Sequence, residues 1–229
     1  MKFIVVEGLD GAGKSTQIKY LRKYFDTQGI SHFYLHFPRT ETPVFGELIA
    51  RFLRGEFGNI KEVHPYLVAL IYAGDRKDAA ETILSHINKG YYVIVDRYVY
   101  SNIAYQGAKF HNKSEQNKLK NWILQLEYEY YRIPRPDINL FLNVPFQFTE
   151  AKLSKERKGA DREYLNGNHD IHEQDLNFQQ FVREVYINQA SEDDSLKIID
   201  CSDEGNSMLQ PEKIFKKIIE VLKQNRILV

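Results

Sequence analysis

The sequence has one cysteine, Cys201, in 229 residues. A lone thiol excludes an intramolecular disulfide framework and a cysteine-only metal knuckle, and it fits a reducing compartment. An excess of either charge is also missing: Lys+Arg and Asp+Glu both number 31. No global positive potential draws the chain to nucleic acid or anionic lipid, so any polyanion site must be local. No stretch approaches the roughly 18 apolar residues that a membrane span needs, and because the strand pattern starts at residue 2, no cleavable leader is expected. The expectation is a cytoplasmic protein with neither a membrane nor a nucleic-acid partner. Internal repeats and linkers rich in Gly, Ser or Pro are absent too, so the chain reads as a single domain, 1–229, able to bury a sizeable core.

What is present is concentrated at the start. Phe3, Ile4, Val5 and Val6 form an apolar, partly β-branched run that leads into Gly8-x-x-x-x-Gly13-Lys14-Ser15. Ile18, Leu21 and Phe25 then follow at helical spacing. This is the order strand, phosphate-cradling loop, helix. Glycines let the backbone turn its N–H groups toward an anion at the positive end of a helix dipole. Gly8, Asp10, Gly11, Ala12, Gly13, Lys14, Ser15 and Thr16 are therefore the expected cradle of a nucleoside triphosphate. Lys14 would reach the β- and γ-phosphates, and the Ser15 hydroxyl would ligate Mg²⁺.

Farther along, strands and helices alternate. Strands are expected at about 31–37, 91–95, 137–143 and 196–200, with helices at about 14–28, 42–53, 65–89, 101–108, 114–131, 145–155, 173–190 and 211–223. Thr42 and Ser114 are the expected starts of two of these helices, and Leu67, Leu70, Ile71, Ala79, Ile83 and Ile87 are apolar positions of the third. The alternation predicts an α/β architecture: a three-layer P-loop NTPase fold with a five-stranded parallel sheet flanked by helices. Two strands end in charged groups, at Phe37-Pro38-Arg39 and Asp96-Arg97, and in such sheets ligands gather at the strands' C-terminal ends. Asp96, closing Val93-Ile94-Val95, is the expected second Mg²⁺ residue. A guanine-specifying Asn-Lys-x-Asp is not found, which argues against a switch GTPase.

Five segments in register give the chain a resemblance. They are residues 7–17 around the loop, Phe37-Pro38-Arg39, Tyr72-Ala73-Gly74-Asp75-Arg76, then Asp96-Arg97-Tyr98 with Ser101-Asn102 and Ala104-Tyr105-Gln106-Gly107, and an arginine-containing loop before the helix at 173–190. In these the sequence resembles the thymidylate kinases, P-loop enzymes that move the γ-phosphoryl of ATP onto dTMP. The resemblance implies ATP and Mg²⁺ as cofactors, dTMP as the acceptor and a homodimer. Asp10 resembles the acid that meets the nucleotide 3′-hydroxyl and helps place the acceptor phosphate. Arg39 and Arg97 resemble the arginines that hold that phosphate and the transferring group, a task suited to guanidinium forks. Tyr72 stands where the family stacks a phenylalanine on thymine; it keeps the aromatic face and adds a hydroxyl that needs a partner. Arg76, one turn on, resembles the arginine that reads the base edge. Asn102, Tyr105 and Gln106 resemble pocket residues, Tyr105 by crowding out a 2′-hydroxyl.

Some members of the family carry a catalytic arginine in the P-loop just after the acid, where this chain has Gly11. The resemblance then implies that a lid, about 155–172, supplies the charge. Lys155, Arg157, Lys158 and Arg162 are its cations, with Arg157 and Arg162 the expected catalytic pair beside Lys14, Arg39 and Arg97. His169 and His172, also in that segment, read as surface or loop histidines. A broader deoxynucleoside monophosphate or deoxynucleoside kinase, and a non-catalytic ATP-binding regulator, stay open as alternatives.

Overall fold

The computed structural model describes residues 2–60, 62–153, 164–165, 170–172 and 175–228. Its centre is β1 (Phe3–Gly8), buried at every position, as the apolar run Phe3–Val6 predicts of a strand covered on both faces. β1 pairs in parallel with β3 (Tyr92–Asp96) on one side and β4 (Ile138–Asn143) on the other. β2 (His32–His36) and β5 (Leu196–Asp200) form the outer strands, giving the order β2-β3-β1-β4-β5, all parallel. Helices cover both faces: α1 (Lys14–Thr27), α2 (Phe45–Leu53), α3 (Pro65–Asn88), α4 (Val99–Gly107), α5 (Lys113–Leu124), α6 (Phe146–Leu153), α7 (Leu176–Glu192) and α8 (Pro211–Gln224). The expected five-stranded parallel architecture is what the described residues form.

The chain reverses direction across the sheet beside β1, the place where open α/β sheets bind ligands. Register makes this concrete. Val6 pairs with Asp96, and the Arg97 amide donates to the Val6 carbonyl at 3.0 Å, so the charged end of β3 lies alongside the point where β1 becomes the phosphate loop. Gly13 enters α1 at φ 82°, a left-handed conformation that side chains resist.

Local chemistry departs from the expected boundaries in several places. Thr42 does not cap α2: its hydroxyl donates to the Arg39 carbonyl at 2.8 Å inside a turn, and the helix begins three residues later. α5 is capped by Asn112, whose side chain accepts from the Ser114 amide at 2.8 Å; that position, not Ser114, has the extended backbone an N-cap needs. The expected long helix at 114–131 is not uniform, because Gln125–Tyr130 is π-helical. Leu67 and Leu70 are exposed on α3 instead of packed, at 59% and 37%. The core side of that helix is lined by Val68, Ala69, Ala79, Ala80 and Ile83. Midway along α3, Gly74 presses against the Phe45 ring of α2, which would lie 2.3 Å from an added Cβ. A glycine in a helix interior costs about 1 kcal/mol relative to alanine, and this contact explains why it is there.

Candidate active site

A cavity of about 590 Å³ runs along the C-terminal ends of β1, β2 and β3. At one end it is lined by the phosphate loop, Asp10 through Ser15, and at the other by Tyr72, Arg76, Asn102, Tyr105 and Gln106. Asp96 and Arg97 lie along it too. Thus one continuous space joins the glycine-rich loop to a pocket with an aromatic and several polar side chains.

At the cradle, the Lys14 ammonium folds back onto the loop, donating to the carbonyls of Leu9 at 3.0 Å and Gly8 at 3.3 Å. Burial lowers its pKa to about 8, and Arg97 adds to that effect, while Asp96, Asp10 and Glu7 oppose it. Asp96 is pushed up by burial but more strongly held down by Lys14 and His36, so it stays a carboxylate. Its Oδ2 lies 3.4 Å from His36 Nδ1, and its Oδ1 is buried without a hydrogen-bond partner among the described residues. A bare carboxylate oxygen in the same cavity as the Ser15 hydroxyl is a donor set that suits Mg²⁺. No cluster of three or more His, Cys, Asp or Glu is found among the described residues. An ion here would therefore depend on nucleotide phosphates and water for its remaining ligands.

Between the two ends sits a network centred on Arg97. Its backbone is left-handed at φ 64°. Its Nη2 donates to Asp10 Oδ1 at 2.7 Å and to the Tyr105 hydroxyl at 3.2 Å, and its Nη1 to Ser101 Oγ at 3.2 Å. Tyr105 in turn donates to Asp10 Oδ2 at 2.7 Å. Burial raises Asp10, yet Arg97, Lys14 and the Tyr105 hydroxyl outweigh it and leave its pKa well below the carboxylate range. Behind these lies Glu7, fully buried in β1. It accepts from the Tyr98 amide at 2.9 Å, the Ser101 hydroxyl at 2.6 Å and the Tyr186 hydroxyl at 2.8 Å. Glu7 thereby anchors the first turn of α4, where an acid also complements the helix dipole.

Arg76 is 2% exposed and paired with Glu127, its Nε to Oε2 at 2.5 Å and its Nη2 to Oε1 at 2.7 Å. Asn102 donates to the same Oε1 at 3.2 Å and to the Ala69 carbonyl at 3.0 Å. Arg39 is not among the residues that line the cavity, although Pro38 and Thr40 are. Its guanidinium is bound to Asp75, Nε to Oδ1 at 2.8 Å and Nη2 to the carbonyl at 2.7 Å. Gly8 and Thr16 also lie off the lining. Lys155, Arg157, Lys158, Arg162 and His169 fall outside the described residues.

Sequence reasoning missed several groups here. Tyr164, Asp170 and His172, from the segment expected as a lid, all line the cavity. Tyr164 donates to Asp170 Oδ2 at 2.9 Å, and Asp170 Oδ1 accepts from the His172 amide at 2.8 Å. His172 is not a surface histidine: it is buried, its ring packs on Phe178, Tyr105 and Phe52, and burial lowers its pKa to about 3. Glu7 and Glu127 were missed as well, although each is a lone acid on an otherwise apolar strand or helix stripe.

Comparison with known proteins follows the same contours. The family model described as Thymidylate kinase matches residues 6–210. A Mycobacterium tuberculosis protein named thymidylate kinase is 35% identical over 191 residues, 82% of this chain and 86% of that protein. A Pyrobaculum aerophilum protein named probable thymidylate kinase is 31% identical over 227 residues, covering 98% and 97%. The solved thymidylate kinase structure from Candida albicans superposes with a TM-score of 0.72 at 24% identity, covering 99% of this chain and 92% of that one. That last likeness carries the fold, and the sequence matches, spanning the loop, both strand ends and the pocket helices, carry the descent: this chain belongs to the thymidylate kinase family.

Proposed function

We propose that the chain transfers the γ-phosphoryl group of ATP to dTMP, with the phosphate loop cradling the donor and the far end of the same cavity holding the acceptor. The observation that carries this reading is the continuity of that cavity, from Ser15 to Arg76, with Asp10 and Arg97 midway. Phosphoryl transfer asks for positioning and charge neutralisation more than covalent chemistry. Gly11, Ala12, Gly13 and Lys14 hold the donor phosphates. Arg97, kept cationic and fixed by Asp10 and Ser101, meets the transferring group. Ser15 and Asp96 would hold Mg²⁺, which when bound neutralises phosphate charge.

On the acceptor side, Tyr72 supplies the stacking face, Arg76 and Asn102 the base contacts, and Tyr105 the bar to a 2′-hydroxyl. Arg39 takes the acceptor phosphate through the part of its fork that Asp75 does not engage. Arg157 and Arg162 complete the charge over the donor from a lid spanning about 155–172, a reading supported by Tyr164 and His172 reaching the cavity. Chain 1–229 acts as one domain in this scheme. A homodimer is part of it, supported by Leu67, Leu70 and Leu84, exposed on α3. A cytoplasmic location is supported by the single cysteine, Cys201, a buried thiol. Among the described residues no helix is long and apolar enough to cross a membrane.

The test is ADP release with ATP and Mg²⁺, offering dTMP, dUMP, dGMP, dCMP, the ribose analogue of dTMP, and thymidine in parallel. Clear preference for dTMP is expected. Binding of ATP without stimulation by any monophosphate would replace the kinase with an ATP-binding regulator, which needs no acceptor pocket.

A further inference from the structure

α5 carries its buried stripe on Leu119 and Ile123, and the next position of that stripe, inside the π-helical segment, is Glu127, with no exposed surface. An acid buried there is costly unless its oxygens are fully engaged. They are: Oε2 accepts Arg76 Nε, and Oε1 accepts both Arg76 Nη2 and Asn102 Nδ2. Asn102 Nδ2 also donates to the Ala69 carbonyl. A carboxylate and a carbonyl can only accept, so the Asn102 amide has one orientation available, its NH₂ toward these two and its oxygen away. That oxygen, Oδ1, is buried without a partner among the described residues, on a side chain that lines the cavity. Of the Arg76 fork, Nη1 is the nitrogen that Glu127 leaves unengaged.

We propose that Glu127 is a positioning residue that fixes the hydrogen-bond polarity of the Arg76–Asn102 pair, so that the cavity takes a base edge with a carbonyl beside an N–H and rejects one with an amino group beside a bare ring nitrogen. The inference rests on the reading of this end of the cavity as the dTMP pocket. A 4-keto pyrimidine offers O4 to the Arg76 donor and N3–H to the Asn102 acceptor. A 4-amino pyrimidine sets donor against donor and acceptor against acceptor. Mismatch of that kind leaves buried polar groups unpaired, the form of discrimination that binding sites make steepest. Without the Glu127 carboxylate, the Asn102 amide is free to turn over and the Arg76 fork to swing, while Tyr72 and the cavity volume stay as they are. π-helical turns often occur at functional sites, and this one carries the group that sets what the base pocket reads.

The test is Glu127→Gln, which keeps the side-chain volume, with dissociation constants for dTMP and dCMP by calorimetry and KM and kcat for dTMP. The dTMP constant and its KM should rise about 10- to 100-fold, with dCMP little changed, so that the ratio between the two nucleotides falls by the same factor. The KM for ATP and kcat at saturating dTMP should stay within about threefold, a split that a merely structural role would not give. Glu127→Asp, charged but one methylene shorter, should give an intermediate ratio and serves if the glutamine variant does not fold. A ratio unchanged in the folded variants, including one in which both affinities drop together, overturns the inference alone. A wild-type chain that does not bind dTMP overturns the pocket reading and this inference with it.

Discussion

Nucleotide binding should take up a proton, and the structure says where and how much. The Lys14 ammonium is buried against two carbonyls and near Arg97, and its pKa is lowered to about 8. A polyphosphate bound in the loop surrounds that ammonium with negative charge and returns the pKa toward or beyond the ordinary lysine value of about 10.4. The sign follows: the bound state has the higher pKa, so binding favours the protonated lysine, and affinity is full below pH 8 and declines above it. At pH 8 about half the free protein lacks the proton, so binding ATP should take up about 0.5 proton, against about 0.25 at pH 7.5 and 0.9 at pH 9. Over the same interval the dissociation constant should rise about eightfold, or about 1.3 kcal/mol.

The assay is calorimetric titration of ATP and Mg²⁺ without dTMP at pH 7.5, 8 and 9, in buffers of different ionisation enthalpy, a range in which the nucleotide phosphates are already ionised. Lys14→Arg is the control, since a guanidinium does not titrate there. Lys109, lowered to about 7 by burial, does not line the cavity, and any contribution from it would survive that substitution. Uptake near zero at both pH 8 and 9 with a flat dissociation constant would refute the reasoning. So would uptake undiminished in Lys14→Arg.

Three further outcomes follow from the geometry. Glu7→Gln keeps one accepting oxygen but turns amide hydrogens toward either the Tyr98 amide or the Ser101 and Tyr186 hydroxyls, and should lower unfolding free energy by about 1–3 kcal/mol; an unshifted urea midpoint would show that Glu7 does not hold α4 to β1. Tyr105→Phe keeps the ring but removes the hydroxyl bonded to Asp10 and Arg97, and kcat/KM for dTMP should fall about tenfold with little change in thermal midpoint; a loss under twofold counts against a working role for that hydroxyl. Arg162→Ala, with Arg157→Ala beside it, should lower kcat by on the order of 10³ in at least one of the two, with KM for dTMP nearly constant. Full turnover in both would return the transition-state charge to Arg97 and Lys14 alone.

Much of the fold was legible because its signals are local and redundant. The apolar run Phe3–Val6, closed by a glycine-rich turn, reads as a strand covered on both sides, and the glycine spacing after it admits few backbones. Asp96 and Arg97 were legible for the same reason, since a charged pair ending a buried strand has one place to go in such a sheet. The partners of the site were not. That Arg76 meets Glu127, 51 residues away, and that Arg97 meets Asp10, 87 residues away, are tertiary facts with no mark in spacing. Each acid did leave a trace, as a carboxylate where periodicity calls for a hydrocarbon, at Glu7 in β1 and Glu127 after Ile123. His172 reads in sequence as a surface or loop histidine because no metal-ligand framework flanks it, whereas Phe52, Tyr105 and Phe178, from distant parts of the chain, close around its ring. Thr42 and Ser114 show the ordinary limit of capping rules, for a hydroxyl near a helix start has competing partners.

Gly74 limits how this pocket can be remade. It lies between Tyr72 and Arg76 on α3, and any side chain there would meet the Phe45 ring, as one at Gly46 would meet the Arg39 carbonyl at 2.1 Å. The two glycines let the segment after β2 lie close against the turn of α3 that carries Tyr72 and Arg76. Neither glycine lines the cavity, so a side chain at either would not reshape the pocket directly but would push α2 from α3 and disturb the Arg39–Asp75 pair. On the proposed reading of the pocket, reshaping it for another base therefore falls to the side chains that do line it, Tyr72, Arg76 and Asn102.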